Sequence, residues 1–234
     1  MEETARRGRM GPAFRAAFPV TLPVLTGFFV LGLAYGVLME TKGYGPLWSG
    51  FVSAVVFSGG MQFAAIPLLT TVFDPVQAFF LSLMVNARHV FYGLALLGKY
   101  QGMGWRRPAC IYILCDENFS LASTVEPPEG VDRSCFYFAI SILNWAYWVA
   151  SSILGGVLGN FLTFNTEGMD FALTALFTVL LLEQLNKREN WAAGAVGILS
   201  TVVSLLLFGA DKLIIPAMVL ILAVLLGGRK KLWA

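Results

Sequence analysis

Long apolar segments separated by short polar or charged ones fill most of the chain. A helix of about 20 residues crosses the ~30 Å hydrocarbon core of a bilayer, so segments of this length predict membrane-spanning helices. The pattern therefore predicts an all-α fold, a polytopic integral membrane helical bundle of about seven to eight hydrophobic segments, some broken or re-entrant. The apolar segments are 18–39, 43–73, 75–98, 109–125, 134–166, 171–182, 191–210 and 213–228.

The segment 43–73 carries no charge and is too long for one untilted helix. It contains Ser58, Gly59 and Gly60, and adjacent glycines favour a break in a helix. A break inside the bilayer is tolerated where it faces protein or a water-filled cavity, and transporters use such breaks to bind anionic groups at half-helix N-termini. Alternatively, the glycines mark a tight helix crossing, with Gln62 hydrogen-bonded across it.

The segment 75–98 contains Asn86, Arg88, His89 and Tyr92 in an otherwise apolar context. In a helix starting at residue 75, Arg88 lies about 20 Å along the axis and so well inside the membrane. A charge there costs at least about 2.5 kcal/mol, and it is a functional-site hypothesis by default. Asn86 and His89 share one helix face, whereas Arg88 and Tyr92 share another. We therefore expect this helix to lie between other helices, with an acidic partner for Arg88.

Three acidic residues are candidates for ion pairing or proton coupling: Asp116, Glu117 and Asp170. Either of the adjacent pair could neutralise Arg88 while the other carries a proton, and His89 is a further candidate for coupling. Alternatively, Asp116 and Glu117 lie in a turn outside the membrane. Asp170 could N-cap the run 171–182, either within the membrane or as an ordinary interfacial cap.

The segment 134–166 combines a polar and aromatic cluster with a glycine-rich stretch. Asn144 is the polar centre of the cluster. Glycines permit close approach of membrane helices, and those at 155, 156 and 159 match a pair at 32 and 36 in the first span. The remaining members of the cluster are Trp145, Tyr147 and Trp148.

Composition supports the membrane assignment, because 57% of the residues are hydrophobic and only 13% are charged, with a mean hydropathy of +0.73. Soluble domains average about 25% charged residues. The net charge of +2 and the basic residues near segment ends indicate topology, not nucleic-acid binding. Three cysteines and one histidine form no zinc pattern, and we expect buried thiols at 110, 115 and 135 and no metal or cofactor.

The basic residues 1–17 predict a cytoplasmic N-terminal arm, followed by one transmembrane domain, 18–234, with both termini cytoplasmic. Pro19 and Pro23 fall at the start of the first span, where a missing N–H is tolerated. The polar loop 125–133 is a possible boundary between two halves, 18–124 and 134–228.

The basic residues Lys99, Arg106 and Arg107 create a conflict in topology. With eight spans and a cytoplasmic N-terminus they fall outside, against the positive-inside rule. If 43–73 and 109–125 are both re-entrant, six full spans remain and this basic loop falls inside. The sequence leaves both arrangements open.

Four motifs resemble those of the AzlC-type branched-chain amino acid permeases, the large subunit of a two-subunit exporter. They are Phe-Ser-Gly-Gly-Met-Gln-Phe at 57–63, Asn-Ala-Arg-His-Val-Phe-Tyr-Gly at 86–93, Asp-Glu-Asn-Phe at 116–119 and Gly-Met-Asp-Phe-Ala-Leu at 168–173. The second is the most specific, and the resemblance covers nearly the whole chain. Trp145 stands where the family pattern has glutamine.

The resemblance implies export of leucine, isoleucine, valine or methionine across a bacterial cytoplasmic membrane, together with a small hydrophobic subunit of the AzlD type. No Walker A sequence is present, so transport would use a gradient or another protein. An amino acid needs a cationic or helix N-terminal site for its carboxylate and an acidic or carbonyl site for its ammonium. The candidate substrate-binding residues are Ser58, Gly59, Gly60, Gln62, Asn86, Arg88, Tyr92 and Asn144.

Other functions remain open at this point. A channel, a non-transporting membrane scaffold or a transporter of another small organic solute would share the same helical architecture. An intramembrane serine protease is the enzymatic alternative, since Ser58 precedes two glycines and His89 lies within the membrane. Against it, Val56 stands where a Gly-x-Ser motif needs glycine.

Overall fold

The computed structural model describes residues 10–161 except 71 and 73, and, beyond them, 178, 181–182, 185–186, 188, 191–209, 213, 216–217, 219–221, 223–224 and 227–228. Every regular element in this part of the chain is helical, as predicted. The helices are α1 (Met10–Thr41), α2 (Pro46–Val56), α3 (Gly59–Thr70), α4 (Pro75–Leu96), α5 (Arg106–Tyr112), α6 (Asp116–Thr124), α7 (Arg133–Phe161) and α8 (Trp191–Phe208).

Four stretches of the described chain are long and apolar enough to cross a membrane: α1, residues 78–96 of α4, α7 and α8. The chain is therefore an integral membrane helical protein. Helix α2 is apolar but short. The weak segment 109–125 forms two short helices, α5 and α6, and neither could span a bilayer alone. The predicted segments 171–182 and 213–228 lie largely outside the described residues.

In the described residues helix α1 extends from Met10, which lies before Phe18, the predicted start of the first span. Pro19 and Pro23 accordingly lie inside the helix, where each removes one backbone N–H from its ladder. The physical reason is packing. Residues 13 and 17 are fully buried alanines in a core that they share with side chains of α5 and α7. Contacts between helices thus extend α1 into the basic arm.

Helices α1 and α7 cross at closely apposed glycines. The sequence predicts a close-packing patch on each of the two segments, and the structure shows that they pack against each other. A Cβ built on Gly36 would lie 2.5 Å from the amide nitrogen of Gly156 and 2.7 Å from the carbonyl carbon of Gly155. A Cβ on Gly155 would lie 2.8 Å from the Cα of Leu33. The two backbones are therefore in direct contact. Helix α7 also contacts α2 and α3, the helices on either side of the break.

Lys99 ties the chain beyond α4 to the end of α6. Its ammonium donates to the backbone oxygens of Ala122 and Ser123 at 2.9 and 3.1 Å and pairs with Glu126 at 2.7 Å. A cation is favourable at a helix C-terminus, where carbonyls lack helical partners. Hydrogen bonds from Lys99 and then from Tyr137 hold the pKa of Glu126 below its ordinary value. This cluster fixes one end of α6.

The chain forms two compact units, residues 1–169 and 170–234. Helices α1 to α7 belong to the first and α8 to the second. The polar loop 125–133, considered above as a boundary between halves, lies within the first unit between α6 and α7.

Candidate functional site

An ion pair joins the middle of α4 to the first residue of α6. Arg88 Nη2 lies 2.9 Å from Asp116 Oδ2, and the two side chains are 37% and 34% exposed. A carboxylate in the first turn of a helix is favoured by the helix dipole, so Asp116 suits its position on α6 as well as its partner. Of the two acidic neighbours proposed as partners of Arg88, the structure selects Asp116.

Tyr92 holds the second oxygen of the same carboxylate. Its hydroxyl donates to Asp116 Oδ1 at 2.6 Å. Arg88 and Tyr92 are one helical turn apart on one face of α4, so a single carboxylate reaches both. The Tyr92 ring stacks on Phe119 with centroids 4.3 Å apart, and His89 meets the ring at 5.6 Å. The result is a charged centre bordered by aromatic surface.

The other polar face of α4 meets the break between α2 and α3. Ser58 Oγ donates to Asn86 Oδ1 at 2.8 Å, and His89 Nδ1 lies 3.2 Å from the backbone oxygen of Asn86. Ser58 and His89 therefore each contact Asn86, through different atoms. The nucleophile–base hydrogen bond that a serine protease needs is not among the contacts of these two described side chains.

The predicted helix break is present. Helix α2 ends at Val56, Phe57 adopts a left-handed conformation (φ 40°, ψ 47°), and α3 begins at Gly59. The first helical bond of α3 runs from the amide of Gln62 to the oxygen of Ser58 at 2.8 Å. The three preceding amides thus have no partner within the helix. The left-handed residue is a phenylalanine, although the two glycines that follow it signalled the break.

Two aromatic side chains satisfy the carbonyls that this break frees at the end of α2. Trp145 Nε1 donates to the oxygen of Ala54 at 3.1 Å, and the Tyr112 hydroxyl donates to the oxygen of Val55. Irregular backbone within a membrane is tolerated only where its polar groups find partners. Trp145 is therefore a hydrogen-bond donor that fixes the break, despite replacing the glutamine of the family pattern.

Replacing Trp145 with phenylalanine should destabilise the break, because it removes the N–H donor and keeps most of the ring. A carbonyl left without its partner costs about 1–3 kcal/mol. We expect a lower thermal-unfolding midpoint in detergent for Trp145→Phe than for the matched variant Trp48→Phe, whose ring is largely exposed. Equal midpoints for the two variants would contradict the role of Trp145.

A chain of buried polar side chains links α2, α3 and α7. Trp148 Nε1 donates to Gln62 Oε1 at 2.8 Å, Gln62 Nε2 donates to Ser53 Oγ at 2.9 Å, and Ser53 Oγ donates to Ser152 Oγ at 2.8 Å. Both ends of the Gln62 amide are thus bonded within the protein. A Cβ on Gly59 would lie 3.1 Å from the Trp148 ring. The alternative of a tight crossing with Gln62 bonded across it therefore describes this region as well.

Two buried amides connect α7 to the short gap between α5 and α6. Asn144 Nδ2 donates to Asn118 Oδ1 at 2.6 Å, and Asn118 Nδ2 donates to the backbone oxygen of Ile113 at 2.5 Å. Asn118 was absent from our candidate residues, although it belongs to the Asp-Glu-Asn run at 116–118. The available signal in the sequence was an amide directly after two carboxylates.

Other candidates are placed differently. Glu117 makes no ion pair with a described residue and interacts with the Cys115 thiol. Asp170 lies outside the described residues. The three cysteines are buried and free, as predicted. The described residues contain no cluster of histidine, cysteine and carboxylate side chains that could hold a metal ion.

Comparison with known proteins gives a consistent set of relatives. Residues 23–162 match the family model described as AzlC protein. The chain is 44% identical, over 97% of its length and 89% of the relative's, to the branched-chain amino acid transport protein AzlC of Bacillus subtilis. It is 37% identical to an uncharacterised membrane protein of Helicobacter pylori over 94% and 96% of the two lengths. It is also 24% identical to the inner membrane protein YgaZ of Escherichia coli over 78% of each.

No solved structure matches the chain. The family model covers more than half of the sequence and the Bacillus subtilis relative nearly all of it. The matched region contains the ion pair, the helix break and the amide pair described above. The chain belongs to the AzlC family.

Proposed function

We propose that the chain is a secondary transporter that exports the branched-chain amino acids leucine, isoleucine and valine, and also methionine, across the bacterial cytoplasmic membrane. The observation that carries the proposal is the partly exposed ion pair between Arg88 on the membrane helix α4 and Asp116 on α6, in a chain 44% identical to a relative named as a branched-chain amino acid transport protein. A charge pair on a membrane helix, with each side chain about one-third exposed, suits a substrate that is itself charged.

The chemistry of the pair matches a zwitterion. Its net charge is zero, and each member offers what one end of an amino acid needs: a guanidinium for the carboxylate and a carboxylate for the ammonium. Only Nη2 of Arg88 bonds Asp116, and Nε is buried without a partner. The guanidinium therefore retains donors for a second carboxylate while Tyr92 continues to hold Asp116.

The aromatic pair beside the charges supports an apolar substrate side chain. Tyr92 and Phe119 stack face to face, and the Tyr92 hydroxyl bonds Asp116. We assign this pair to the contact with the branched aliphatic group. Phe91, the neighbouring aromatic on α4, is 69% exposed and carries no such assignment.

The proposal includes a small hydrophobic AzlD-type membrane subunit. Supporting it is the apolar outer face of α4, where Phe79, Leu83 and Val90 are largely exposed within the described protein. In the bilayer, this face contacts either lipid or another membrane helix. We place the energy source in an ion gradient, with His89, Asp116, Glu117 and Asp170 as the candidate coupling groups.

Efflux from cells tests the function, its direction and the need for a partner together. Cells lacking their own branched-chain exporters are preloaded with labelled leucine, valine or methionine. They express this chain alone, with the small subunit, or neither. We expect saturable efflux that requires both proteins. Steady conductance without saturation would indicate a channel. No efflux with both proteins in the membrane would contradict this cargo and favour another small organic solute.

A further inference from the structure

The amide pair Asn118–Asn144 is buried and has one acceptor without a partner. Asn118 is 1% exposed and Asn144 is 0% exposed. Asn144 Oδ1 has no hydrogen-bond partner among the described residues. A buried acceptor left unsatisfied costs about 1–3 kcal/mol, so native structures rarely keep one without a reason.

The orientation of both amides follows from one backbone group. The oxygen of Ile113 can only accept, so the Asn118 atom 2.5 Å from it must be the NH₂ group. Asn118 Oδ1 then faces Asn144, and the Asn144 atom 2.6 Å away must also be NH₂. Asn144 Oδ1 is consequently left over as an acceptor. Rotating either amide by 180° would bring two acceptors together.

The surrounding charges favour a cation at this acceptor. The first turn of α6 carries two carboxylates, Asp116 and Glu117, and the next residue is Asn118 of the amide pair. Arg88 pairs with Asp116, whereas Glu117 has no ion-pair partner in the described part of the chain. An oxygen acceptor and a carboxylate on neighbouring residues are the groups that bind a protonated amine.

We propose that Asn144 Oδ1 accepts a hydrogen bond from the ammonium group of the transported amino acid, with Glu117 supplying the adjacent negative charge. This assignment rests on the proposed function and refines it: Arg88 binds the substrate carboxylate, and the ammonium binds Asn144 Oδ1 instead of Asp116, which stays paired with Tyr92. The amide of Asn118 is a positioning residue, since it contacts Asn144 and fixes which of its atoms is free. A free Na⁺ ion would use the same oxygen chemistry and is distinguished below.

Competition between a substrate and its analogue without the amine tests the assignment. Membrane vesicles carrying the chain and its small subunit bind labelled leucine, which is displaced by unlabelled leucine or by 4-methylpentanoate. The measured quantity is the concentration of 4-methylpentanoate that displaces half of the label divided by the corresponding concentration of leucine. A hydrogen bond to a charged group corresponds to about 10- to 100-fold in affinity. We expect Asn144→Leu, or Asn144→Ala if the first does not fold, to lower this ratio about 10- to 100-fold.

Ser141→Ala is the matched control, because Ser141 is buried on the same helix and its hydroxyl bonds the backbone oxygen of Tyr137. Its ratio should equal the wild-type ratio. The ratio is taken within one variant, so general damage cancels. An unchanged ratio in a folded Asn144 variant would overturn the inference while leaving the proposed function intact. If the wild-type protein binds no leucine, the result contradicts the proposed function itself.

Two measurements on the wild-type protein complete the test. N,N,N-trimethyl-leucine keeps the positive charge but has no N–H, so we expect it to displace leucine at least 10-fold less well, by the same hydrogen-bond estimate. Equal displacement would overturn the assignment. Replacing Na⁺ with K⁺ should leave the 4-methylpentanoate to leucine ratio of displacing concentrations unchanged. If the replacement lowers the ratio as Asn144→Leu does, the oxygen binds Na⁺ and the ammonium assignment is wrong.

Discussion

Arg88→Ala should reduce transport of leucine, valine and methionine about 10- to 100-fold or more while the protein still reaches the membrane. A hydrogen bond to a charged group contributes about 1.5–3 kcal/mol, and every 1.4 kcal/mol is a factor of ten in binding. The variant also leaves Asp116 without the guanidinium 2.9 Å away. Both side chains are about one-third exposed, so the loss of the ion pair should lower the thermal stability only modestly. The transport rate should fall by a larger factor.

Two variants separate a transport role of the pair from a structural one. Arg107→Ala removes a cation of the same type from α5, and we expect normal transport. The exchange Arg88→Asp with Asp116→Arg re-forms the ion pair and should recover part of the thermal midpoint, since an arginine in the first turn of α6 is disfavoured by the helix dipole. It should not restore transport, because Tyr92 would then face a guanidinium instead of a carboxylate. Transport recovered to the wild-type rate in this double variant would show that the pair only stabilises the fold.

Gly36→Ala should lower the stability and membrane abundance of the chain by the largest amount of any single methyl addition considered. The added Cβ would collide with backbone atoms of Gly155 and Gly156, and backbone cannot move aside as a flexible side chain can. Overpacking of this kind costs about 1–3 kcal/mol or more. The measurement is the thermal midpoint in detergent, followed by size-exclusion chromatography of the solubilised protein.

Gly27→Ala is the control for this prediction, since it lies on the same helix and a Cβ there would meet no atom within 4 Å. Alanine has the higher helix propensity, so Gly27→Ala should leave the midpoint unchanged or raise it slightly. Equal losses in the two variants would indicate a general intolerance of α1 to substitution. Such a result would contradict close backbone contact as the cause.

The features that the sequence predicted are those with a local signal. Gly59 and Gly60 mark a helix break because glycine weakens a helix wherever it occurs. Arg88 required an acidic partner because an unpaired charge in a membrane is costly, and the sequence offers few carboxylates. The glycines of α1 and those of α7 each predict close approach of another helix. Each of these inferences uses the chemistry of one short stretch.

The features that the sequence did not predict depend on packing between distant stretches. Helix α1 includes Ala13 and Ala17, which lie before the predicted span and are fully buried, and nothing in the basic arm signals this burial. Asn118 became notable only through Asn144 and Ile113, which lie on other elements. The same holds for Trp145, whose donor reaches a carbonyl on α2.

Gln62 shows how one residue supports two interpretations. A glutamine next to a glycine break in a membrane is equally suited to a ligand and to a neighbouring helix. The structure places both ends of its amide in bonds to Trp148 and Ser53. The break itself belongs to the site through Ser58, which contacts Asn86 on α4. Arg88 and Asp116 form the charged centre of the site. Helix α4 connects it to the break through Asn86, and α6 connects it to the amide pair through Asn118.

Counterflow in proteoliposomes tests this account most directly, because it needs no energy coupling. Vesicles containing the purified chain and its small subunit are loaded with unlabelled leucine and diluted into labelled leucine, isoleucine, valine or lysine. We expect transient, saturable accumulation of the three branched-chain amino acids, none of lysine, and at least about 10-fold less accumulation in the Arg88→Ala protein. Equal accumulation by wild type and Arg88→Ala, or none by the folded wild type, would contradict it.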